Sequence, residues 1–275
     1  MNSKKCKILK IIFLLFFSLS FSQTSKNDSL RGKFTYLLQC KPNSLSPDYV
    51  YKELFSLQIS DRRAFFISEN KLKFDSLFTT EYNKGNAKID LTNLSSLKSS
   101  SYVIIQTNDD FKYYTTVGMT LLTYTTPIID KWNLIDETKV INSIVCEKAE
   151  VRYKGRDWIA WYSTQIPFPY GPYKFSGLPG LIVKITDRTG DYDFELVRSI
   201  PSSKLKGKLV SVSGIYYKNA KITTSKDLIE AKENFKANAK HEFESMGTQF
   251  FNDQKEKPRK NETRKNGFNP IELED

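Results

Sequence analysis

The chain is organised around residues 171–187, GPYKFSGLPGLIVKITD. Its first half holds two turn signals, Gly171-Pro172 and Leu178-Pro179-Gly180, because proline fixes φ at about −65° and glycine accepts a positive φ. Its second half, 181–186, alternates apolar and more polar residues, which predicts a half-buried strand. The stretch contains no metal-ligand cluster, activated nucleophile or phosphate cradle, so we interpret it as a structural bend followed by a strand.

The same alternation recurs along most of the chain. It predicts strands at 34–40, 49–60, 64–68, 102–106, 111–117, 119–126, 145–153, 158–162, 192–198 and 209–217. A three- to four-residue apolar period, from Leu228 through Ala231 and Phe235, predicts an amphipathic helix at about 226–246, capped near Thr224. We therefore predict a mainly β (α+β) fold, a curved antiparallel sheet or half-open barrel packed on a C-terminal amphipathic helix.

The N-terminus has the pattern of a secretory signal. Lysines precede an apolar core at 11–19 that is too short to span a bilayer, and small residues follow. We expect residues 1–22 to be removed, which leaves no integral membrane segment and an exported protein of the periplasm, the outer membrane or the exterior. Residues 23–250 are predicted to form a single β-rich domain. Residues 251–275 are predicted to be a charged linker and a tail that can dock back on the domain.

Charge narrows the class of partner. Loss of the four signal lysines would lower the formal net charge from +11 to +7, spread along the chain. An exported protein meets little nucleic acid, and dispersed lysines specify none, so no nucleic-acid partner is expected. An envelope protein or an apolar small ligand fits better, and no cofactor is implied.

Two cysteines remain after signal removal. Cys40 and Cys146 could form one disulfide in an oxidising compartment. Both lie in apolar, alternating strands, where a free buried cysteine is common. The sequence leaves the two alternatives open.

An aromatic cluster provides the candidate binding site. Its members are Tyr153, Trp158, Trp161, Tyr162, Tyr173 and Phe175. They flank a proline-rich loop and could line an apolar groove beneath it. The competing interpretation is that the same rings fill the core of the sheet.

Residues with catalytic or metal-binding chemistry are sparse. The single histidine, His241, lies on the polar part of the predicted helix, and we expect it at the surface. No metal site is predicted, because the ligands of a zinc site would have to converge from distant places. Asp136, Glu137 and Asp157 are the carboxylates that could serve a hydrolase, with Trp158 and Trp161 close by in sequence.

Several motifs together resemble a known family. Residues 177–182, Gly177, Leu178, Pro179, Gly180, Leu181 and Ile182, read as the hexapeptide that names the GLPGLI family. Further similarity lies at 132–138, at 146–149, at Gly155-Arg156, at 160–162, at 166–167 and in the C-terminal segment 269–273. The resemblance implies an exported protein of Bacteroidetes-type bacteria whose biochemical activity is not established.

Three functional hypotheses follow. The first is a non-catalytic envelope binding or accessory protein that holds an apolar ligand or a protein segment in the aromatic groove. The second is a secreted hydrolase of glycans or peptides that uses Asp136, Glu137 or Asp157. The third is a purely structural component of the envelope.

Overall fold

The structure is a computed structural model that describes residues 28–85, 99–245 and 267–274. The predicted signal segment 1–22, residues 246–250 at the end of the predicted domain and residues 251–266 of the predicted linker lie outside the described residues. The strands are β1 (Gly32–Cys40), β2 (Tyr51–Ile59), β3 (Ala64–Ser68), β4 (Tyr102–Gln106), β5 (Asp110–Val117), β6 (Thr120–Pro127), β7 (Asn133–Ile141), β8 (Ile144–Tyr153), β9 (Arg156–Ser163), β10 (Leu181–Asp187), β11 (Tyr192–Ser199) and β12 (Lys221–Ile222); the α-helices are α1 (Glu69–Asn83) and α2 (Ser225–Ser245).

Across these residues, twelve strands form one open sheet. Its order is β12-β6-β5-β4-β3-β2-β1-β11-β10-β9-β8-β7. Neighbouring strands are antiparallel except β12 and β6, so the sheet is mixed. The predicted fold class is confirmed: the protein is mainly β, and the sheet is not closed into a barrel. The sequence-distant pairing of β1 with β11 joins the two halves of the sheet.

The sheet is strongly curved. Phe66 on β3 and Phe194 on β11 have ring centroids 6.2 Å apart. Three steps of strand pairing separate these strands, which in a flat sheet would place them roughly 14 Å apart. The sheet therefore bends around a concave face, and aromatic side chains from distant strands meet across it.

The concave face is filled by the chain itself. The connection between β9 and β10 turns inward, and its residues Tyr170, Tyr173, Phe175 and Leu178 are buried in the core. Leu228 of α2 and Ile271 of the C-terminal tail pack against the same core. The sequence predicted that this loop would cover an open groove. In the structure, side chains of the loop fill the space in which that groove would lie.

The convex face carries a smaller core. Phe65, Ile67, Val103 and Ile105 are buried there under α1 and residues 205–220. Helix α2 begins as predicted, with the Thr224 hydroxyl accepting a hydrogen bond from the Asp227 amide at 3.1 Å. The predicted amphipathic helix is confirmed.

Two strand predictions need correction. Residues 209–217 are not a strand: Leu209 makes one isolated bridge to Ser29, and Gly214–Tyr216 is a 3-10 turn. The physical reason is that the Gln58 side chain takes the place of a neighbouring strand, since its Oε1 accepts from the Ser211 amide at 2.8 Å. Strand β10 is also more buried than predicted, because residues 181–183 are covered on both faces.

Candidate functional site

Close packing against neighbouring backbone determines the conformation of the signature loop, residues 177–182. A Cβ on Gly180 would lie 2.1 Å from the Ser163 carbonyl oxygen, which only glycine avoids. Gly177 has a φ of +89°, and a Cβ there would lie 2.8 Å from the Ile129 carbonyl oxygen. The loop is therefore held against neighbouring backbone, which fixes the residues that precede it.

Those preceding residues form a strained turn. Tyr173 has a φ of +54°, a left-handed conformation that is unfavourable for a bulky side chain. The Phe175 amide closes the turn by donating to the Pro172 carbonyl at 3.1 Å. Such strain persists only where the surrounding structure imposes it, and it is concentrated at functional sites. Here the turn directs Tyr173 and Lys174 into the concave core.

The predicted aromatic residues divide into two sets. Trp158, Tyr162, Tyr173 and Phe175 are almost completely buried, at 1%, 2%, 4% and 0% exposure, and Tyr153 is half-buried beside them. The Trp158 and Phe175 ring centroids are 4.6 Å apart, and the Tyr153 and Phe175 centroids are 5.9 Å apart. These side chains form packed core around the loop and do not line an open groove.

Trp161 is half-buried at the margin of the same core, but it points away from Trp158 and Tyr162. Side chains alternate along a strand, so Trp158 and Tyr162 face the core while Trp161 faces the convex side. There its ring contacts the ammonium groups of Lys139 and Lys148, at 5.7 Å and 5.9 Å from the centroid. The structure therefore does not bring Trp161 to the other candidate residues.

A buried lysine stands at the centre of the core cluster. Lys174 has 0% exposure, and its ammonium donates to the Tyr124 hydroxyl at 2.7 Å and to the Glu272 carboxylate. The rings of Tyr113, Tyr124 and Tyr173 surround the ammonium at 4.8–5.4 Å from their centroids. The Tyr173 hydroxyl donates to the same Glu272 oxygen at 2.6 Å. Lysine is rarely buried without a partner, and the C-terminal tail supplies that partner.

Burial controls the electrostatics of this cluster. Desolvation lowers the pKa of Lys174 below its ordinary value, and the Glu272 carboxylate opposes that shift. Lys232 of α2 lies over the Tyr113 ring at 5.3 Å, and burial together with Lys174 lowers its pKa as well. Lys174 and Lys232 thus both lie near the single carboxylate of Glu272, among buried tyrosine rings.

A second anchor of the tail lies at Asn269. Its side-chain oxygen accepts from Arg156, and its amide nitrogen donates to the Lys41 carbonyl at 2.9 Å and to Asp191 at 3.0 Å. Its backbone amide donates to the Pro42 carbonyl at 3.0 Å, while its carbonyl accepts from the Tyr192 hydroxyl at 2.7 Å. Every hydrogen-bonding group of Asn269 is therefore matched.

Arg156 connects this anchor to the sheet. Its guanidinium pairs with Asp187 at 2.7 Å, and the two side chains are 5% and 1% exposed. A second guanidinium nitrogen donates to the Pro270 carbonyl at 2.6 Å. Asp187 is held in turn by the Tyr192 amide at 2.8 Å. Arg156 is therefore held by the sheet as well as by the tail.

The tail lies across the ends of neighbouring strands. It passes from the β1–β2 turn, where Phe268 bridges Asn43, to the β8–β9 turn, where the Leu273 amide donates to the Lys154 carbonyl at 2.9 Å. It docks on the domain without joining the twelve-stranded sheet as a further strand. The site is thus a receptor for residues 268–273, built from strand-end turns and the turn before the signature loop; we refer to it as the tail site.

The cysteines do not pair in the structure. Cys40 and Cys146 are free and buried, and β9, β10 and β11 lie between their strands in the sheet. Burial raises the pKa of each thiol to about 11. The structure thus holds the free-thiol alternative.

The candidate carboxylates do not share a pocket. Asp136 and Glu137 lie exposed at a bulge in β7, and Glu137 pairs with Lys148 at 2.8 Å. Asp157 is exposed and pairs with Arg152, which lies four residues beyond Lys148 on β8, a separation of roughly 13 Å along a strand. Paired glycosidase carboxylates lie about 5–9.5 Å apart. The structure does not bring these groups into that geometry.

Metal-binding clusters and membrane-spanning helices are absent from residues 28–85, 99–245 and 267–274. No group of three or more His, Cys, Asp and Glu side chains there could hold a metal ion. His241 is exposed on α2. A cleft of about 590 Å³ lies between α1 and residues 211–213, and one of about 340 Å³ lies between residues 117–120 and α2; no residue of the tail site lines either cleft. No helix in this part of the chain is long and apolar enough to cross a membrane.

The key residues of the tail site were not among the predicted site residues. Lys174, Glu272, Arg156 and Asn269 each lie inside a motif that the sequence singled out for its pattern. The available signal was a charge within an apolar run: Lys174 between Tyr173 and Phe175, and Glu272 between isoleucine and leucine. A charge that is buried with its apolar neighbours needs a partner.

Comparison with known proteins gives a short match and distant neighbours. Residues 150–184 match a family described as "Protein of unknown function (Porph_ging)", and this segment contains Arg156, Lys174 and the signature loop. No curated protein matches. Among solved structures, PNGF-II is similar in two crystal forms, with TM-scores of 0.48 and 0.47 and identities of 12% and 11%, over 74% of this chain.

The chain spans 33% of the length of PNGF-II. An uncharacterized conserved protein from Thermus thermophilus is similar over 71% of this chain and 91% of its own, with a TM-score of 0.31 and 12% identity.

Proposed function

We propose that this protein is an exported cell-envelope accessory protein of the GLPGLI type that binds a polypeptide segment beside its signature loop and catalyses no reaction. Export is proposed from the pattern of residues 1–22, and the family from the hexapeptide at 177–182. The match over residues 150–184 to a family of unknown function is compatible with both.

The observation that carries the proposal is the occupied tail site. A short segment of chain, residues 269–273, lies in a receptor that matches its backbone, its amide and its carboxylate. Because the interior is filled by side chains, a bulky apolar ligand would need to displace packed core. A polypeptide segment needs to displace only the tail, so it is the favoured occupant.

The hydrolase alternative has less support. It needs two carboxylates near one substrate bond, and Asp136, Glu137 and Asp157 are exposed and far apart. The buried Lys174 and Glu272 neutralise each other and have no described cleft beside them that would admit a substrate. Binding without turnover is the function that this geometry supports best.

The proposal is tested by selecting ligands without bias. Full-length protein carrying Glu272→Lys, which repels the tail from Lys174, is offered a random-sequence peptide library and a panel of fatty acids. We expect peptides to be enriched, and their binding to weaken with Tyr173→Phe but not with Trp161→Ala, which lies on the opposite face. A folded protein that enriches no peptide, or whose peptides are insensitive to Tyr173→Phe, would contradict the proposal.

A further inference from the structure

We infer that the tail site recognises the sequence Asn-Pro-x-Glu, and that its ligand is a polypeptide segment carrying those residues, which binds by displacing the protein's own tail. This inference rests on the proposed function and adds the chemical identity of the segment. Its basis is the pair of anchors, one for an asparagine followed by proline and one for a glutamate.

The first anchor selects asparagine over similar residues. Asp191 accepts from the Asn269 amide nitrogen at 3.0 Å, and Arg156 donates to the amide oxygen. Aspartate at this position would place a carboxylate against Asp191, and leucine would remove both the side-chain oxygen that accepts from Arg156 and the amide that donates to the Lys41 carbonyl. Pro270 contributes a carbonyl to Arg156 and needs no donor of its own.

The second anchor selects glutamate. Lys174 and the Tyr173 hydroxyl converge on one carboxylate oxygen in a setting with little water. The segment between the anchors contributes only Ile271, which packs on the core, so one position is free to vary among apolar residues. Beyond the glutamate, Glu274 is 64% exposed and reaches Arg152 only at 3.6 Å, which marks the end of the recognised sequence.

Displacement follows from how the tail is attached. The anchor contacts are made by Asn269, Pro270 and Glu272 themselves, so a separate segment with the same residues can make the same contacts. The attached tail competes as an intramolecular ligand, with an effective concentration on the order of millimolar. The wild-type protein is therefore self-occupied, and a free segment binds it more weakly than it binds a protein whose tail is released.

The test uses labelled peptides of residues 267–275, GFNPIELED, and full-length protein with Glu272→Lys. Fluorescence anisotropy is expected to show that the parent peptide binds the Glu272→Lys protein at least about tenfold more tightly than it binds the wild-type protein. Glu272→Gln within the peptide should weaken binding at least about tenfold, and Asn269→Asp should do the same. Glu274→Gln within the peptide is the matched control and should change affinity less than about fivefold.

Each outcome is decisive. Selective binding supports the inference. Equal binding of the parent, Glu272→Gln and Asn269→Asp peptides would show that the site does not recognise the Asn-Pro-x-Glu sequence, while leaving the proposed function intact. No binding of any peptide, including those selected from the random library, overturns both. Circular dichroism verifies that the Glu272→Lys protein is folded; if it is not, full-length Asn269→Asp replaces it, since that change releases the other anchor and leaves Lys174 paired.

Discussion

Glu272→Gln removes the negative charge beside Lys174 while keeping an oxygen that can accept its hydrogen bond. The loop position of Lys174 prevents its ammonium from reaching water, since its side chain is fully buried. Breaking a buried ion pair from one side costs about 3–5 kcal/mol. Here the Tyr124 hydroxyl and three aromatic rings still attract the cation, so we expect a loss of about 3 kcal/mol in the free energy of unfolding.

The loss should depend on pH in a defined direction. Burial lowers the pKa of Lys174 in the folded protein, and Glu272 opposes that shift, so glutamine should let the pKa fall further. Between that lowered pKa and the ordinary value of 10.5, the unfolded chain binds more protons than the folded one. Stability therefore rises with pH in this window, and the deficit of the variant should shrink as pH increases.

Urea unfolding near neutral pH and again at about pH 9.5 measures both effects. The matched control is Glu195→Gln, which breaks a Lys–Glu pair with Lys184 at 2.6 Å whose side chains are 30% and 28% exposed. That control should lose at most about 1 kcal/mol. Equal losses for the two variants, or a deficit for Glu272→Gln that grows with pH, would refute the reasoning.

Two further predictions concern the loop and the thiols. Gly180→Ala should lower the free energy of unfolding by roughly 3 kcal/mol, because its Cβ would meet the Ser163 carbonyl. The control is Gly190→Ala, which has a positive φ but open space around it and should lose only about 1 kcal/mol. Thermal unfolding of the two variants measures the difference. Cys40 and Cys146 should react slowly with a thiol reagent in the native protein and rapidly in urea, since both are buried with a pKa of about 11; fast native reaction would contradict their burial.

Local patterns were sufficient for most of the elements. Alternation marks a strand wherever one face is buried, and β1, β3, β4 and β11 lie close to their predicted positions. Residues 209–217 show the limit of this rule. They carry a strand-like pattern, yet Gln58 supplies the hydrogen bonds that a neighbouring strand would have made. The alternation of apolar and polar residues indicates which side chains prefer burial. It does not indicate which neighbour is available to hydrogen-bond with the backbone.

The candidate site was predictable in part. Trp158 and Trp161 are three residues apart on one strand, so the period of two already places them on opposite faces. The pairing of Lys174 with Glu272 is of a different kind, because 98 residues separate them. No local rule joins positions at that distance. Curvature of the sheet is what brings the signature loop, the Tyr124 strand and the tail together.

The Gly/Pro signature and the charged residues near it have a common physical cause. Tight contacts at Gly177 and Gly180 fix the loop, and the fixed loop holds Tyr173 at a φ of +54° with Lys174 directed inward. An inward lysine is unfavourable unless an anion meets it, and the sheet supplies aromatic rings at that point but no described carboxylate except that of Glu272. The path of the signature loop therefore buries the positive charge of Lys174, and an acidic segment supplies the carboxylate that pairs with it. A loop with the same turns and an apolar residue at position 174 would fold with no requirement for the tail, so the lysine is what converts a structural bend into a binding site.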